Sequence, residues 1–487
     1  MTEARLLNDA GWTRIGRALR QGELELVSLW GEPGAVHVAV REPTGPSLTV
    51  HSLPCPGGGY RALSLAHPPA ARLERALAEL TGLRPMGAPD LRPWLDHGRW
   101  EVDHPMGDAQ PSTQAGSTYT FLPVEGEGLH QVPVGPVHAG VIEPGHFRFT
   151  ANGETIVRLE ARLGYAHKGT LSLIAGAALD HAARLAGRIS GDSTVAYALA
   201  FALAAEVALG VTAPPRAQWL RGLMAELERL ANHLGDIGAI CNDAAFAILH
   251  AHFGVLRERV LRAAAAAFGH RLMMDLIVPG GVAADIRPGG PDAIAEALRQ
   301  IRSVLPGLID IYDETNSLQD RTVGTGIVSA ENARTFGAGG FVGRASGRDF
   351  DARRWRPYAP YDALSFEVPV FTEGDVNARV WVRIREVQQS LAMIDEMLAR
   401  LPAGSFRLDL PAAAGGAQEG VALVEGFRGD IFAWLRLDGA GRVGACHLRD
   451  PSWFQWPLLE TCVKDNIIAD FPLCNKSFNC SYSGHDL

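Results

Sequence analysis

Residues 193–213, STVAYALAFALAAEVALGVTA, are apolar almost without interruption and long enough to cross a bilayer. A segment of this kind has two homes: lipid, or the middle of a protein large enough to surround it. Much of the run is alanine, which is weakly hydrophobic, and Glu206 interrupts it. Both features favour a buried helix in a large α-helical core. The chain has the material for such a core. It has 487 residues, 47% hydrophobic and 20% charged, which suits a globular protein of several domains.

Charge and cysteine content remove other classes. The net charge is −9, whereas a general nucleic-acid binder needs a basic surface to offset phosphates. Six cysteines in this length exclude a disulfide scaffold. The opening MTEARLLNDAGW carries no basic stretch leading into an apolar core, so a cytoplasmic location is expected.

The fold class expected is α+β: a small N-terminal α+β domain (1–100), a linker (101–129), then a mainly helical bundle domain with small β elements (130–487). The runs 23–29, 34–40 and 47–53 are β-rich, and a helix is predicted over 69–80 with Gly82 placed to end it. Residues 101–129 are polar and turn-rich. HFRFTANGETIVRLEAR (146–162) reads as a hairpin turning at Asn-Gly. Leu220, Leu223, Leu227, Leu230 and Leu234 make one apolar stripe, and Ile384, Val387, Leu391, Ile394, Leu398 and Leu401 repeat the pattern before Pro402. Two long bundle helices follow from that spacing.

Several segments, in order, resemble one superfamily: the large subunits of membrane-bound, formate-hydrogenlyase-type nickel–iron hydrogenases and the 49-kDa subunit of complex I. They are GPVHAGVIEPGHFRF (135–149), GYAHKG (164–169), RAQWLRGLMAELERLANHLGDIG (216–238), GGVAADI (280–286), RASGRDFDAR (344–353), PYAPYD (358–363), GDVNARVWVRIREVQQS (374–390) and RDPSWFQWP (449–457). LERALAELTGLRPMGAPDLR (73–92) is similar to the 30-kDa subunit of complex I, with Ala76, Thr81 and Ala88 departing from its usual pattern. Such a fusion is typical of the formate-hydrogenlyase branch.

The resemblance implies a nickel–iron site with four thiolates, soft anionic ligands that hold nickel and bridge to iron. In their places stand Ser190, Ser193, Ser452 and Gln455, and Leu171 replaces a glutamate after His-Lys-Gly. Serine and glutamine are neutral, hard and weakly donating, so neither a nickel–iron centre nor hydrogenase activity is expected. The remaining cysteines, Cys462, Cys474 and Cys480 among them, have no standard metal spacing and read as buried small residues.

The family fold implies that the 138–148 loop, the 188–193 helix start and the 450–455 segment converge. The candidate catalytic residues are therefore His138, His146, Asp192 and Asp450, protonatable groups for an acceptor that takes up electrons, with Glu143 on the same loop. Ser190, Ser193, Arg344, Arg428 and Ser452 are candidate acceptor-binding residues. Arg428 stands where the hydrogenase family has an arginine beside the metal, and Phe427 replaces the usual proline. In complex I a histidine of this loop and a tyrosine bind the quinone headgroup. Tyr197 is near in sequence, and that role is not carried over to it. His233, Arg216, Arg221 and Arg229 read as packing or ion-paired residues, and Arg344, Asp351 and Arg353 as an internal ion-pair network.

The function expected is that of a redox-core subunit in a membrane-associated complex, peripheral on the cytoplasmic side of the inner membrane. Electrons would come from a small iron–sulfur partner subunit and pass to a quinone-like acceptor, coupled to antiporter-like membrane-arm subunits. No cluster ligands and no nucleotide-binding loop are visible, so iron–sulfur clusters and any nicotinamide would belong to other subunits. The alternative is a non-catalytic scaffold joining the iron–sulfur subunit to the membrane arm.

Overall fold

A computed structural model describes residues 5–112, 116, 118–138, 142–411, 416 and 418–487. Near the N-terminus, strands Glu25–Glu32, Ala35–Arg41 and Leu48–Pro54 pair antiparallel, and Arg5–Leu6 joins the last in parallel. Helix Ala71–Thr81 buries Leu73, Ala76 and Leu77 and packs on strand Glu25–Glu32. Gly82 ends it with φ 76°, a conformation that glycine adopts without steric cost. Within 101–129, the short strands Val102–Asp103 and Gln110–Pro111 pair with each other. The Asn-Gly hairpin forms between His146–Asn152 and Thr155–Arg162, and Leu129–Val134 adds a third strand.

The apolar run becomes helix Thr194–Leu209. Together with the turn before it, Gly191–Leu209 is long and apolar enough to cross a membrane, but most of it is buried inside the protein. It packs against strands Gln418–Gly426 and Gly429–Leu437 of an antiparallel sheet completed by Val443–Arg449. Gly420 lets the sheet come close: a Cβ there would overlap the Ala204 carbonyl oxygen. The leucine stripe lies on helix Pro215–Asp243, which packs against Ala247–Phe268 and Val376–Ala399. Its five stripe leucines are no more than 2% exposed. The whole is an α+β fold with a helical bundle beside small sheets.

Two contacts tie the ends of the chain to this centre. Trp30 of the N-terminal sheet stacks on His447 of the C-terminal sheet, with ring centroids 4.8 Å apart. The final segment is buried: the Asp486 carboxylate accepts from the Gly164 and Ala166 amides at 2.8 and 3.0 Å.

Glu206 interrupts the apolar run because it answers a buried cation. Arg221, on the next helix, donates to both Glu206 oxygens at 2.5 and 3.1 Å and to the Val278 and Gly281 carbonyls. Glu206 also accepts from the Gly280 amide at 2.8 Å, so the pair pins the GGVAADI turn to two helices. Removing one partner leaves a buried charge unpaired, at a cost of about 3–5 kcal/mol. Glu206→Leu should lose about that much stability in urea denaturation, and Glu206→Leu with Arg221→Met should recover most of it. A double variant no more stable than the single one would mean that the pair is not the source of the loss.

Candidate functional site

The apolar helix starts beside the SGDS segment, and the leucine helix holds that start in place. Glu228 lies on the leucine helix one turn before Asn232, so the two share a face. The Glu228 carboxylate accepts from the Val195 and Ala196 amides at 2.7 and 3.1 Å. It thereby caps a helix whose own N-cap residue, Ser193, makes no side-chain capping bond. Asn232 Nδ2 donates to the Asp192 carbonyl at 2.7 Å. Sequence reasoning missed both residues, because they sit in the motif helix among leucines and their partners belong to another helix.

This grip presents Asp192 to Arg428. Arg428 is 4% exposed. It donates from Nη1 and Nη2 to the two Asp192 carboxylate oxygens, from Nη1 to Ser193 Oγ at 3.1 Å, and from Nε to the Asn479 carbonyl. Burial opposes ionisation of Asp192, but the guanidinium overcomes it and holds the carboxyl at about 2. Asp192 is therefore a fixed counter-charge at neutral pH and not a proton donor.

The four positions at which the resemblance implies thiolates gather around this arginine. Ser190 Oγ donates to Asp192 at 2.6 Å, and so does Ser193 Oγ at 3.2 Å. Gln455 Nε2 donates to the Arg428 carbonyl at 2.8 Å. Ser452 Oγ accepts from the Ser481 amide at 2.8 Å. Each is committed to a hydrogen bond inside the protein, and a cation stands against the first pair. Burial also pushes the nearby Cys480 thiol well up, so it offers no thiolate. The residues present do not fit a nickel–iron centre.

A cavity of about 260 Å³ opens on the Asp192–Arg428 pair. Its wall includes Glu143, Ser190, Asp192, Arg428, Lys476 and Tyr482. Of the candidates named from sequence, Ser190, Asp192 and Arg428 thus face one space. Ser193, Asp450 and Ser452 support it from within: all three are buried, and Asp450 accepts from the Tyr197 hydroxyl at 2.7 Å and the Ser452 amide at 2.8 Å. The two histidines go elsewhere. His138 Nε2 lies 2.7 Å from the Gly145 carbonyl of its own loop. His146 bonds the Gly135 carbonyl and lines a separate cleft with His97, Tyr119, Tyr165 and His167.

Arg344 does not line the cavity; it is fully buried in an ion-pair network. It meets Glu386 at 2.7 Å, Glu425 at 2.9 Å and Asp351 at 3.5 Å. Arg353 bridges Asp351 and Glu226 at 2.7 and 2.9 Å, and His233 meets Glu386 at 2.6 Å. The network role read for RASGRDFDAR and for His233 therefore describes their contacts here.

Burial pushes the Glu228 carboxyl up to about 8, against the two helix amides that favour its charged form. An unfolded glutamate titrates near about 4.3. The folded protein holds this proton more tightly, so the contribution to stability is full below about pH 4.3 and is lost as pH rises through about 8. Glu228→Gln cannot ionise and should lose less stability than the parent between about pH 5 and pH 8 in urea denaturation. Equal pH slopes for the two proteins would contradict this.

Comparison with known proteins agrees with this architecture. Residues 244–419 match the family described as the 49-kDa subunit of respiratory-chain NADH dehydrogenase. The chain is 30% identical over 443 residues to formate hydrogenlyase subunit 5 of Escherichia coli (strain K12), covering 88% of this chain and 77% of that protein. It is 28% identical over 389 residues to an NADH-quinone oxidoreductase subunit of Phocaeicola vulgatus, covering 75% of each. Among solved structures it is similar to a chain of the membrane-bound sulfane sulfur reductase, an archaeal respiratory membrane complex. The TM-score is 0.70 at 26% identity, over 75% of this chain and all of that one. By name, the first two relatives are subunits of a formate hydrogenlyase and of an NADH-quinone oxidoreductase. The chain belongs to the family that unites the 49-kDa subunit of complex I with the formate-hydrogenlyase-type large subunits.

Proposed function

We propose that this chain is the redox-core subunit of a membrane-associated, complex-I-like or hydrogenase-related oxidoreductase, and that it works without a nickel–iron centre. Electrons come from the clusters of a small iron–sulfur partner subunit and pass to a quinone-like acceptor in the cavity at Asp192 and Arg428. The complex lies against the cytoplasmic side of the membrane, and antiporter-like subunits form its membrane arm.

The observation that carries this reading is the pairing of Asp192 with Arg428 on the wall of a polar cavity that Ser190, one of the four neutral side chains in the thiolate positions, also lines. An acceptor gains negative charge as electrons arrive. A guanidinium held in place beforehand stabilises that charge at no cost in reorganisation. Asp192 orients the guanidinium through two hydrogen bonds. Lys476 adds a second cation to the wall, and Glu143 adds a carboxyl group.

The test uses the purified complex with all of its subunits. Metal analysis should find no stoichiometric nickel, and the complex should neither evolve nor oxidise hydrogen. With the partner's clusters reduced, a short-chain quinone should reoxidise them rapidly by electron paramagnetic resonance. Asp192→Asn keeps the shape but removes the counter-charge, so the complex should assemble and reoxidise at least about tenfold more slowly. Stoichiometric nickel would sink the reading. No reoxidation by quinone, or equal rates in the variant, would favour the scaffold alternative.

A further inference from the structure

The GYAHKG motif (164–169) does not line the cavity at Asp192. Gly164, Tyr165 and His167 line instead the separate cleft, about 730 Å³ in volume, that His146 also faces. The turn 95–100 of the N-terminal domain and the segment 118–121 complete its wall. The buried Arg162 ties these parts together, donating to the Leu163 carbonyl at 3.0 Å and to the Trp94 and Asp96 carbonyls. Gly164, at φ 98°, lets them meet: a Cβ there would lie 2.6 Å from the Leu95 carbonyl oxygen. The Asp96 carboxylate accepts from the Arg99 and Trp100 amides at 2.9 and 3.2 Å, and so fixes the turn that carries both side chains.

Three features of this wall select a ligand. The first is a lone pair. A carbonyl oxygen only accepts, so His97 donates its Nε2 proton to the Leu163 carbonyl at 3.0 Å and keeps Nδ1 as an acceptor. Among the described residues, Nδ1 has no hydrogen-bond partner. Burial holds this imidazole below its ordinary range, so it is neutral at neutral pH. The second feature is a set of planar rings. Tyr165 lies beside His97 with centroids 4.1 Å apart, and Trp100 beside His167 at 4.9 Å. The third is Arg99, exposed, whose guanidinium makes no hydrogen bond or ion pair among the described residues. Asp96 is the one carboxylate on the described wall, against Arg99 and Arg162, so the cleft is net positive.

We propose that this cleft binds an adenine nucleotide: the base packs against Trp100 and Tyr165, its exocyclic amine donates to His97 Nδ1, and its phosphates pair with Arg99. A planar base gains from the rings it meets. The amine supplies the donor that His97 lacks, and a phosphate takes a guanidinium through two parallel hydrogen bonds. A cleft of this volume admits such a ligand. The arrangement differs from a glycine-rich phosphate loop, which the sequence lacks. The assignment does not rest on the acceptor cavity and stands or falls apart from it.

Calorimetric titration of the intact complex with ADP tests this. The parent should bind ADP, and should bind IDP, whose base carries an oxygen in place of the amine, about tenfold more weakly. His97→Phe should erase that difference. Arg99→Gln should weaken ADP about tenfold and leave adenosine unchanged. Trp100→Ala should weaken both ADP and adenosine about tenfold. The Arg99 side chain is exposed, so its variant keeps the fold. No binding of ADP to the parent at millimolar concentration would overturn the assignment. ADP binding that Arg99→Gln leaves unchanged, with the difference from IDP kept in His97→Phe, would belong to another subunit and would overturn it as well.

Discussion

Arg428 carries a permanent charge in a place that water barely reaches, and the site is built to answer that charge. Asp192 supplies the counter-charge, but only because its segment is fixed from behind. Glu228 caps the helix that follows, and Asn232 holds the Asp192 carbonyl. The Asn479 carbonyl takes the remaining Nε–H. Gln455 bonds the Arg428 backbone and so locks the other half of the site to the same residue. Elements far apart in sequence converge because each answers one group on this arginine.

The same constraint runs through the core behind the cavity. Asn479 donates to Asp236 at 2.9 Å, and Asp236 meets Arg383 at 3.2 Å. Glu386, which also bears electrostatically on Arg383, ties His233 to Arg344, and Arg344 reaches Glu425 and Asp351. Polar contacts thus connect the cavity to the centre of the bundle. Such a network is rigid only while every member is satisfied, since removing one leaves a neighbour charged and buried. A displacement of Arg428 would therefore be felt well beyond the wall of the cavity.

Local pattern carried much of this to the sequence. The alanine-rich run announced a buried helix, the leucine spacing announced the bundle, and Gly82 marked a helix end. What local pattern could not carry was the choice of partners. Glu206 looked like a flaw in an apolar segment until Arg221, on the next helix, came to face it. His138 and Glu143 belong to one loop, yet one turns back onto the Gly145 carbonyl and the other reaches the cavity, because side-chain direction in a loop follows from its tertiary contacts. Glu228 hid among leucines, where a lone carboxylate reads as a solvated face. Tyr482 sits in a short turn without periodicity, and its place depends on Ser452, thirty residues earlier in the chain, and on Glu143.

Charge balance decides what the remodelled site can hold. Four thiolates bring four negative charges, enough to bind and stabilise metal cations. Here those positions carry three hydroxyls and an amide, and beside them the Asp192 carboxylate faces the Arg428 guanidinium. The pair is close to neutral, so it has little attraction for a metal cation. Asp192 holds the Arg428 guanidinium in one orientation through two hydrogen bonds. Replacing thiolates by serine also changes what the positions do for the backbone. Ser452 accepts the Ser481 amide and Ser190 donates to Asp192, so these side chains hold the segments that shape the cavity.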